Sequence, residues 1–237
     1  MQHKKLKISL VLVLILCIAC WAYVADDYPA NDAAIAAMSP VSGVSVIQEK
    51  NTVAFVPQEY DAGFIFYPGG KVEHTAYAPL MRALAQEGIL CVLTEMPLNL
   101  AVLDMDAAGD IPEQYPEIEN WYIGGHSLGG SMAASHAEKN ANQYDGLVLL
   151  AAYSTADLSA SSMPVISVYG SEDGVLNMEK YEKYKDNLPS GFEEHIIEGG
   201  CHAGFGGYGP QDGDGVPTLS SENQIRETVR LLAGFFR

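Results

Sequence analysis

At 237 residues the chain has the length of one large domain with a sizeable core. It carries 13 lysines and arginines against 30 aspartates and glutamates, and Lys4, Lys5 and Lys7 precede every acid. The remaining 10 basic and 30 acidic groups give a formal −20. A body so charged repels nucleic acid and anionic lipid headgroups, which excludes both as partners of the globular part.

The first stretch reads as a targeting or anchoring segment (1–24). MQHKKLK is cationic, and ISLVLVLILCIACWAYV is uncharged for 17 residues from Ile8 to Val24, with Asp26 and Asp27 close behind. That length is within the ~17–25 residues of a membrane-spanning helix and exceeds most signal-peptide cores. Lysines ahead of the span put the N-terminus inside and the domain outside the cell membrane. The alternatives are secretion after cleavage, for example behind Ala22, and a lipoprotein site at Cys20, although Cys17 stands where that pattern usually has leucine. Two of the four cysteines lie in this span, leaving Cys91 and Cys201.

Residues 25–42 read as a connector with an Ala-rich helical turn or two, a stalk or packed leader without chemistry. From residue 43 strands and helices alternate. VSVIQE (44–49) and TVAFVP (52–57) suggest an antiparallel hairpin, and GFIFYPGG (63–70) an apolar strand ending in glycines. In AYAPLMRALAQEG, Tyr77, Leu80, Met81 and Leu84 fall at i, i+3, i+4 and i+7, a helix stopped by Gly88. ILCVLTEMP (89–97) is a second buried strand, and 99–117 a weaker helical or mixed segment broken by Gly109 and Pro112. NWYIGG (120–125) is a strand, SMAASHAEKNAN (131–142) a helix, and GLVLLAAY (146–153) and PVISVYG (164–170) two more strands. An amphipathic helix (176–188) and a last strand (193–200) follow. The C-terminal helix opens on Ser221-x-x-Gln224, a capping-box pattern, with Ile225, Val229, Leu232 and Phe236 on one face. Strands spaced by helices imply a mostly parallel sheet covered on both sides, with reactive groups at the carboxyl ends of its strands.

One motif stands out in that frame. Gly125-His126-Ser127-Leu128-Gly129 matches G-x-S-x-G between a strand and a helix, as a nucleophile elbow requires. A serine at so tight an apex has a strained backbone, and glycine on both flanks lets strand and helix approach. Serine needs a base to act as a nucleophile. Of the six histidines, His202 is the best base, because EGGCHAGFGG puts it in a glycine-rich loop directly after the last strand. His126 packs beneath the elbow, while His3, His74, His136 and His195 have structural or solvated settings. The orienting acid belongs between serine and histidine in chain order, and GSEDG supplies Asp173, with Glu172 as a near alternative. An oxyanion hole needs two backbone N–H groups. The elbow offers the Leu128 amide, and the PGGK turn offers Gly70, with Gly69 or Lys71 as alternatives.

The residues GGHSLGG, FYPGG, YGSEDG and GGCHAGFGGYG, in that order, make the chain over about 43–237 resemble a small α/β-hydrolase of the dienelactone-hydrolase-like kind. The resemblance implies an α/β fold with an eight-stranded, mostly parallel sheet, Ser-Asp-His catalysis and ester hydrolysis; separately, the sequence has no phosphate-binding glycine motif, zinc spacing or haem attachment, so no cofactor or metal is expected. Ser127 replaces the cysteine nucleophile of dienelactone hydrolases. In the family's strand order Cys91 lies far from Cys201, which argues against a bridge. Only STADLSASSM stands where many relatives insert a lid, so the site is expected to be open and suited to small or exposed esters. GFGGYGPQDGDGVP (204–217) contains Asp-Gly-Asp-Gly, a fragment of a calcium loop lacking its other ligand positions. A loop walling the site, with Tyr208 as a contact, is the preferred reading. The expected partner is a small ester, with the membrane reached through the N-terminal segment only. A non-catalytic binding domain that keeps the fold is the rival, and the intact set of Ser127, Asp173 and His202 counts against it.

Overall fold

Eight strands form a single sheet in a computed structural model that describes residues 26–237 together with Val11 and positions 13–15. The expected anchor or signal segment otherwise lies outside the described residues. Among the described residues no helix is long and apolar enough to cross a membrane.

The strands are β1 (Val44–Gln48), β2 (Thr52–Pro57), β3 (Ala62–Tyr67), β4 (Ile89–Thr94), β5 (Asn120–His126), β6 (Gly146–Leu150), β7 (Val165–Gly170) and β8 (Glu193–Ile197). They lie in the order β1-β2-β4-β3-β5-β6-β7-β8. β2 is antiparallel to both β1 and β4, so the expected hairpin is the outer edge, and every other pairing is parallel. The apolar strand runs follow from burial on both faces. On β3, Phe64 and Phe66 join the core under one set of helices, whereas Ile65 and Tyr67 join the core on the other side. On β6 the alternation is repeated by Val148 and Leu150 against Leu147 and Leu149.

Among the described residues from 26 on, six α-helices flank the sheet: α1 (Asp32–Ala37), α2 (Ala78–Gln86), α3 (Ile111–Gln114), α4 (Leu128–Lys139), α5 (Met178–Tyr184) and α6 (Ser221–Phe235). The connector is packed down on the domain. Asn31 caps α1 by accepting the Ala34 N–H, Ala34 and Ala37 are buried, and Tyr28 bridges to Val72. The weak segment after β4 consists of short 3-10 turns at 97–99 and 101–103 ahead of α3.

Two helix starts differ from the sequence reading. α4 begins at Leu128 rather than at 131, because packing against β3 and its following loop overrides the low helix propensity of Gly129 and Gly130. α6 is capped by Ser220, whose hydroxyl accepts the Asn223 N–H, so Ser221 is its first helical residue and not its cap. No lid interrupts the passage from β6 to β7. Cys91 and Cys201 are both free and buried, and four strands stand between β4 and β8, roughly 24 Å at the usual strand spacing.

Candidate active site

The elbow is built where β5 turns into α4. Ser127 takes φ 52° and ψ −122°, a left-handed conformation that L-residues avoid and that tertiary packing must hold. Its N–H donates to the Leu150 carbonyl on β6, and its own carbonyl accepts from Ser131 N–H, so both sides of the turn are fixed. The glycines around it are required by crowding. A Cβ on Gly125 would stand 2.5 Å from the Tyr67 carbonyl oxygen, and one on Gly129 would overlap the carbonyl oxygens of Tyr67 and Pro68.

His202 opens a short 3-10 turn after β8, and Asp173 lies in the turn after β7. His202 Nδ1 lies 2.9 Å from Asp173 Oδ2 and 3.1 Å from Oδ1, and both side chains are about 1% exposed. Asp173 Oδ1 also accepts the N–H groups of Val175 and Leu176, which fixes the carboxylate's direction. Glu172 instead sits exposed beside Ser171, so of the two candidate acids Asp173 is the one placed on the imidazole. The other imidazole nitrogen, Nε2, is buried without a hydrogen-bond partner among the described residues. His202 and Ser127 line one cavity of about 240 Å³, together with Leu128, Tyr153, Val175 and Leu176.

The loop after β3 brings Gly70 against the Leu128 side chain, which a Cβ on Gly70 would approach to 3.0 Å. Its three candidate amides differ in their bonding. Gly69 N–H donates to the Tyr77 hydroxyl at 3.0 Å and Lys71 N–H to the Asn99 carbonyl at 2.8 Å. The Gly70 N–H makes no hydrogen bond within the described protein. The Leu128 amide is equally open at its helix start, where the first turn leaves N–H groups without an intrahelical acceptor.

His126 lies beneath the elbow as expected of it. Its Nδ1 is 2.8 Å from the Tyr77 hydroxyl, and its ring centroid is 4.5 Å from that of His202. Burial, with the neighbouring His202 second, pushes its pKa well below the ordinary imidazole value, so this ring stays neutral. A neutral ring there adds no repulsion against a positive His202.

Two supporting residues were not recognised from the sequence. Asp214, in the Asp-Gly-Asp-Gly stretch, accepts four backbone N–H groups. Oδ1 takes those of Gly174 (3.1 Å), His202 (3.1 Å) and Gly215 (2.9 Å), and Oδ2 that of Ala203 (2.9 Å). The fragment that resembles a calcium loop thus ties the acid's turn to the histidine's turn. Burial opposes the Asp214 charge, but the amides of Ala203, Gly174 and His202 and the Cys201 thiol hold its carboxyl below the ordinary value. Gln224, at the position read as half of a capping box, is fully buried. It accepts Cys201 N–H at 3.0 Å and donates to the Cys201 carbonyl at 2.8 Å. Tyr208 is also placed differently from expectation. Its ring is buried between Tyr28 and Tyr77 rather than lining the cavity, because the glycines around it let the chain fold inward.

Over residues 63–226 the sequence matches the family described as the alpha/beta hydrolase family. Solved structures of similar fold include a protein of Thermoplasma acidophilum described as a predicted CIB-like hydrolase, at 16% identity and a TM-score of 0.57, covering 81% of this chain and 100% of that one. TT1662 from Thermus thermophilus aligns at 14% identity and a TM-score of 0.60, over 82% of this chain and 98% of its own. Est1E from Butyrivibrio proteoclasticus aligns at 13% and 0.56, over 82% and 98%. At such identities the likeness is one of fold. No curated protein sequence matches the chain. The family match spans well over half of the length and runs from β3 through the elbow and both later turns, and on that ground the chain belongs to the alpha/beta hydrolase family.

Proposed function

We propose that this protein is a serine hydrolase that cleaves a carboxylic ester through an acyl-enzyme. The observation that carries the reading is the buried His202–Asp173 pair at 2.9 Å, whose unpartnered Nε2 belongs to a residue sharing a cavity with the strained Ser127. In the proposed reaction Ser127 Oγ attacks the ester carbonyl while His202 Nε2 takes its proton. The carbonyl oxygen becomes an oxyanion, held by the amides of Leu128 and Gly70. As the tetrahedral intermediate collapses, the C–O bond to the alcohol breaks and His202 returns the proton to the departing oxygen. Water then attacks the acyl-enzyme with His202 again as base, releasing acid and free Ser127. Asp173 fixes the Nδ1–H tautomer and stabilises the imidazolium. Two preorganised donors are worth several kcal/mol of barrier, about 2.7–4 for a single one. Every step uses protein groups and water.

The uncharged run from Ile8 to Val24 supports a membrane-anchored chain with its domain outside the cell, secretion after cleavage being the alternative. Labelling with a fluorophosphonate probe, followed by a panel of acyl esters, tests the chemistry. The wild type is expected to label at Ser127 and turn over esters. An unlabelled wild type, or Ser127→Ala labelled equally well, refutes it and leaves a binding domain.

A further inference from the structure

The continuous described stretch, from Asp26 on, opens beside the candidate oxyanion loop. Asp26 pairs with Lys71 at 3.0 Å, the Tyr28 N–H donates to the Lys71 carbonyl, and Asp27 accepts from the Asn99 side chain at 3.1 Å. Lys71 follows Gly70, which touches Leu128, which follows Ser127. The uncharged run ends at Val24, two residues before Asp26. At about 3.3–3.6 Å per residue the chain can separate the two by at most about 7 Å. A segment held in a bilayer would therefore keep this loop at the membrane surface.

The turns after β4, tied to Asp27 and Lys71 through Asn99, carry apolar side chains that the fold does not use. Leu98, Val102 and Leu103, in the turns after β4, are 60%, 50% and 54% exposed. Leu98 and Asn99 have φ of 54° and 55°, and the Asn99 carbonyl accepts the Lys71 N–H. Left-handed φ is an outlier for a bulky residue, so neither local conformation nor packing accounts for leucine at 98. At about 240 Å³ the cavity beside Ser127 is also below the ~300–1,000 Å³ of sites that enclose a drug-sized ligand, so most of a larger substrate must lie outside it.

We propose that the active-site mouth faces the bilayer to which the N-terminal segment tethers the chain. The substrate is then an uncharged or zwitterionic ester presented by that membrane, its apolar part resting on Leu98, Val102 and Leu103. The proposal rests on the hydrolase reading above for its chemistry and on the anchor for its geometry. The acidic body disfavours anionic headgroups, which restricts the partner surface to neutral or zwitterionic lipid. A site that its own tether holds at the interface needs no lid to find it.

The test uses the full-length chain reconstituted in phosphatidylcholine vesicles. With brominated phosphatidylcholine, the indole added by Leu103→Trp should be quenched beyond the wild-type background of Trp21 and Trp121. Quenching no greater than background overturns the orientation, whatever the activity. The double variant Leu98→Asp/Leu103→Asp should hydrolyse a vesicle-embedded long-chain umbelliferyl ester at least tenfold more slowly, yet cleave p-nitrophenyl acetate in solution within twofold of wild type. Both substituted side chains are exposed, and an unchanged unfolding temperature confirms the fold. Equal losses on both substrates, or none on the vesicle ester, refute the membrane-presented substrate. A wild type that cleaves neither ester and takes no fluorophosphonate defeats the hydrolase reading, while the quenching still decides the orientation.

Discussion

Asp214→Asn isolates the tie between the two turns that carry Asp173 and His202. The carboxylate accepts three N–H groups on Oδ1 and one on Oδ2, whereas an amide has a single acceptor atom. If the asparagine oxygen keeps Gly174, His202 and Gly215, its NH₂ meets the Ala203 N–H donor to donor. Ala203 is 5% exposed, and a buried donor left unsatisfied costs about 1–3 kcal/mol. The three retained bonds lose their charge assistance, and such bonds are roughly twice as strong as neutral ones. Together these give a loss of about 2–4 kcal/mol, or roughly 4–16 °C in Tm for a domain of this size. Thermal unfolding of wild type and variant across pH is the assay. The Asp214 carboxyl is held below its ordinary value, so its stabilisation is complete above the unfolded value near 3.9 and disappears as pH falls through the folded one. The gap between the proteins should therefore be full at pH 7 and shrink below about pH 4. A gap under 2 °C at pH 7, or one that does not shrink in acid, refutes the reasoning.

Five further substitutions test other parts of the molecule. Asp173→Asn is expected to reduce kcat by about 10⁴ through the wrong imidazole tautomer, while Glu172→Gln leaves it within twofold; the reverse pattern in ester turnover would move the acid to Glu172. Tyr77→Phe removes the acceptor of the buried Gly69 N–H and the hydroxyl beside His126 Nδ1; about 1–3 kcal/mol should be lost in denaturant unfolding, with a lower kcat, and unchanged stability would show that the loop is held otherwise. Gly129→Ala would drive a methyl into two carbonyl oxygens after β3 and should lower Tm strongly, whereas Gly234→Ala in α6 has open space and should gain about 0.5–1 kcal/mol; equal shifts in Tm would refute the crowding argument at the elbow.

Legibility in the sequence followed the range of the forces involved. The elbow could be read because steric demand at Ser127 acts over a few residues and leaves glycines at fixed offsets. The parallel sheet could be read because burial on both faces writes continuous apolar runs. His202 and Asp173 came from chain order and from the ends of apolar runs, and the preference for Asp173 over Glu172 anticipated which carboxylate meets the imidazole. Asp214 and Gln224 left no such trace. Apart from the adjacent Gly215, their partners lie 11–40 residues away, and a buried polar tie has no periodicity. Gln224 even fitted a local pattern, the capping box, that the structure moves one residue back to Ser220. Tyr208 was misplaced for a related reason: an aromatic in a glycine-rich loop beside the site gives no sign of whether it faces the cavity or the core.

The loop that carries His202 is rich in glycine, with eight from Gly199 to Gly215 inclusive. Ordering a residue's backbone costs roughly 1–2 kcal/mol, and glycine is at the high end. Such a loop would be expected to wander, taking His202 with it. What opposes this is a set of polar ties distributed along its length. Gln224 grips the backbone of Cys201 from α6, Asp214 folds back onto His202 and Ala203, and the Gly207 N–H donates to the Ala76 carbonyl. Apolar packing of Phe205 and Tyr208 adds the remainder. The glycines are then the condition for these ties rather than a source of looseness. A Cβ on Gly204 would overlap Gln224, and one on Gly215 the Glu172 carbonyl. Close approach of backbone to carboxylate and amide fixes His202 relative to Asp173, and only residues without side chains permit that approach.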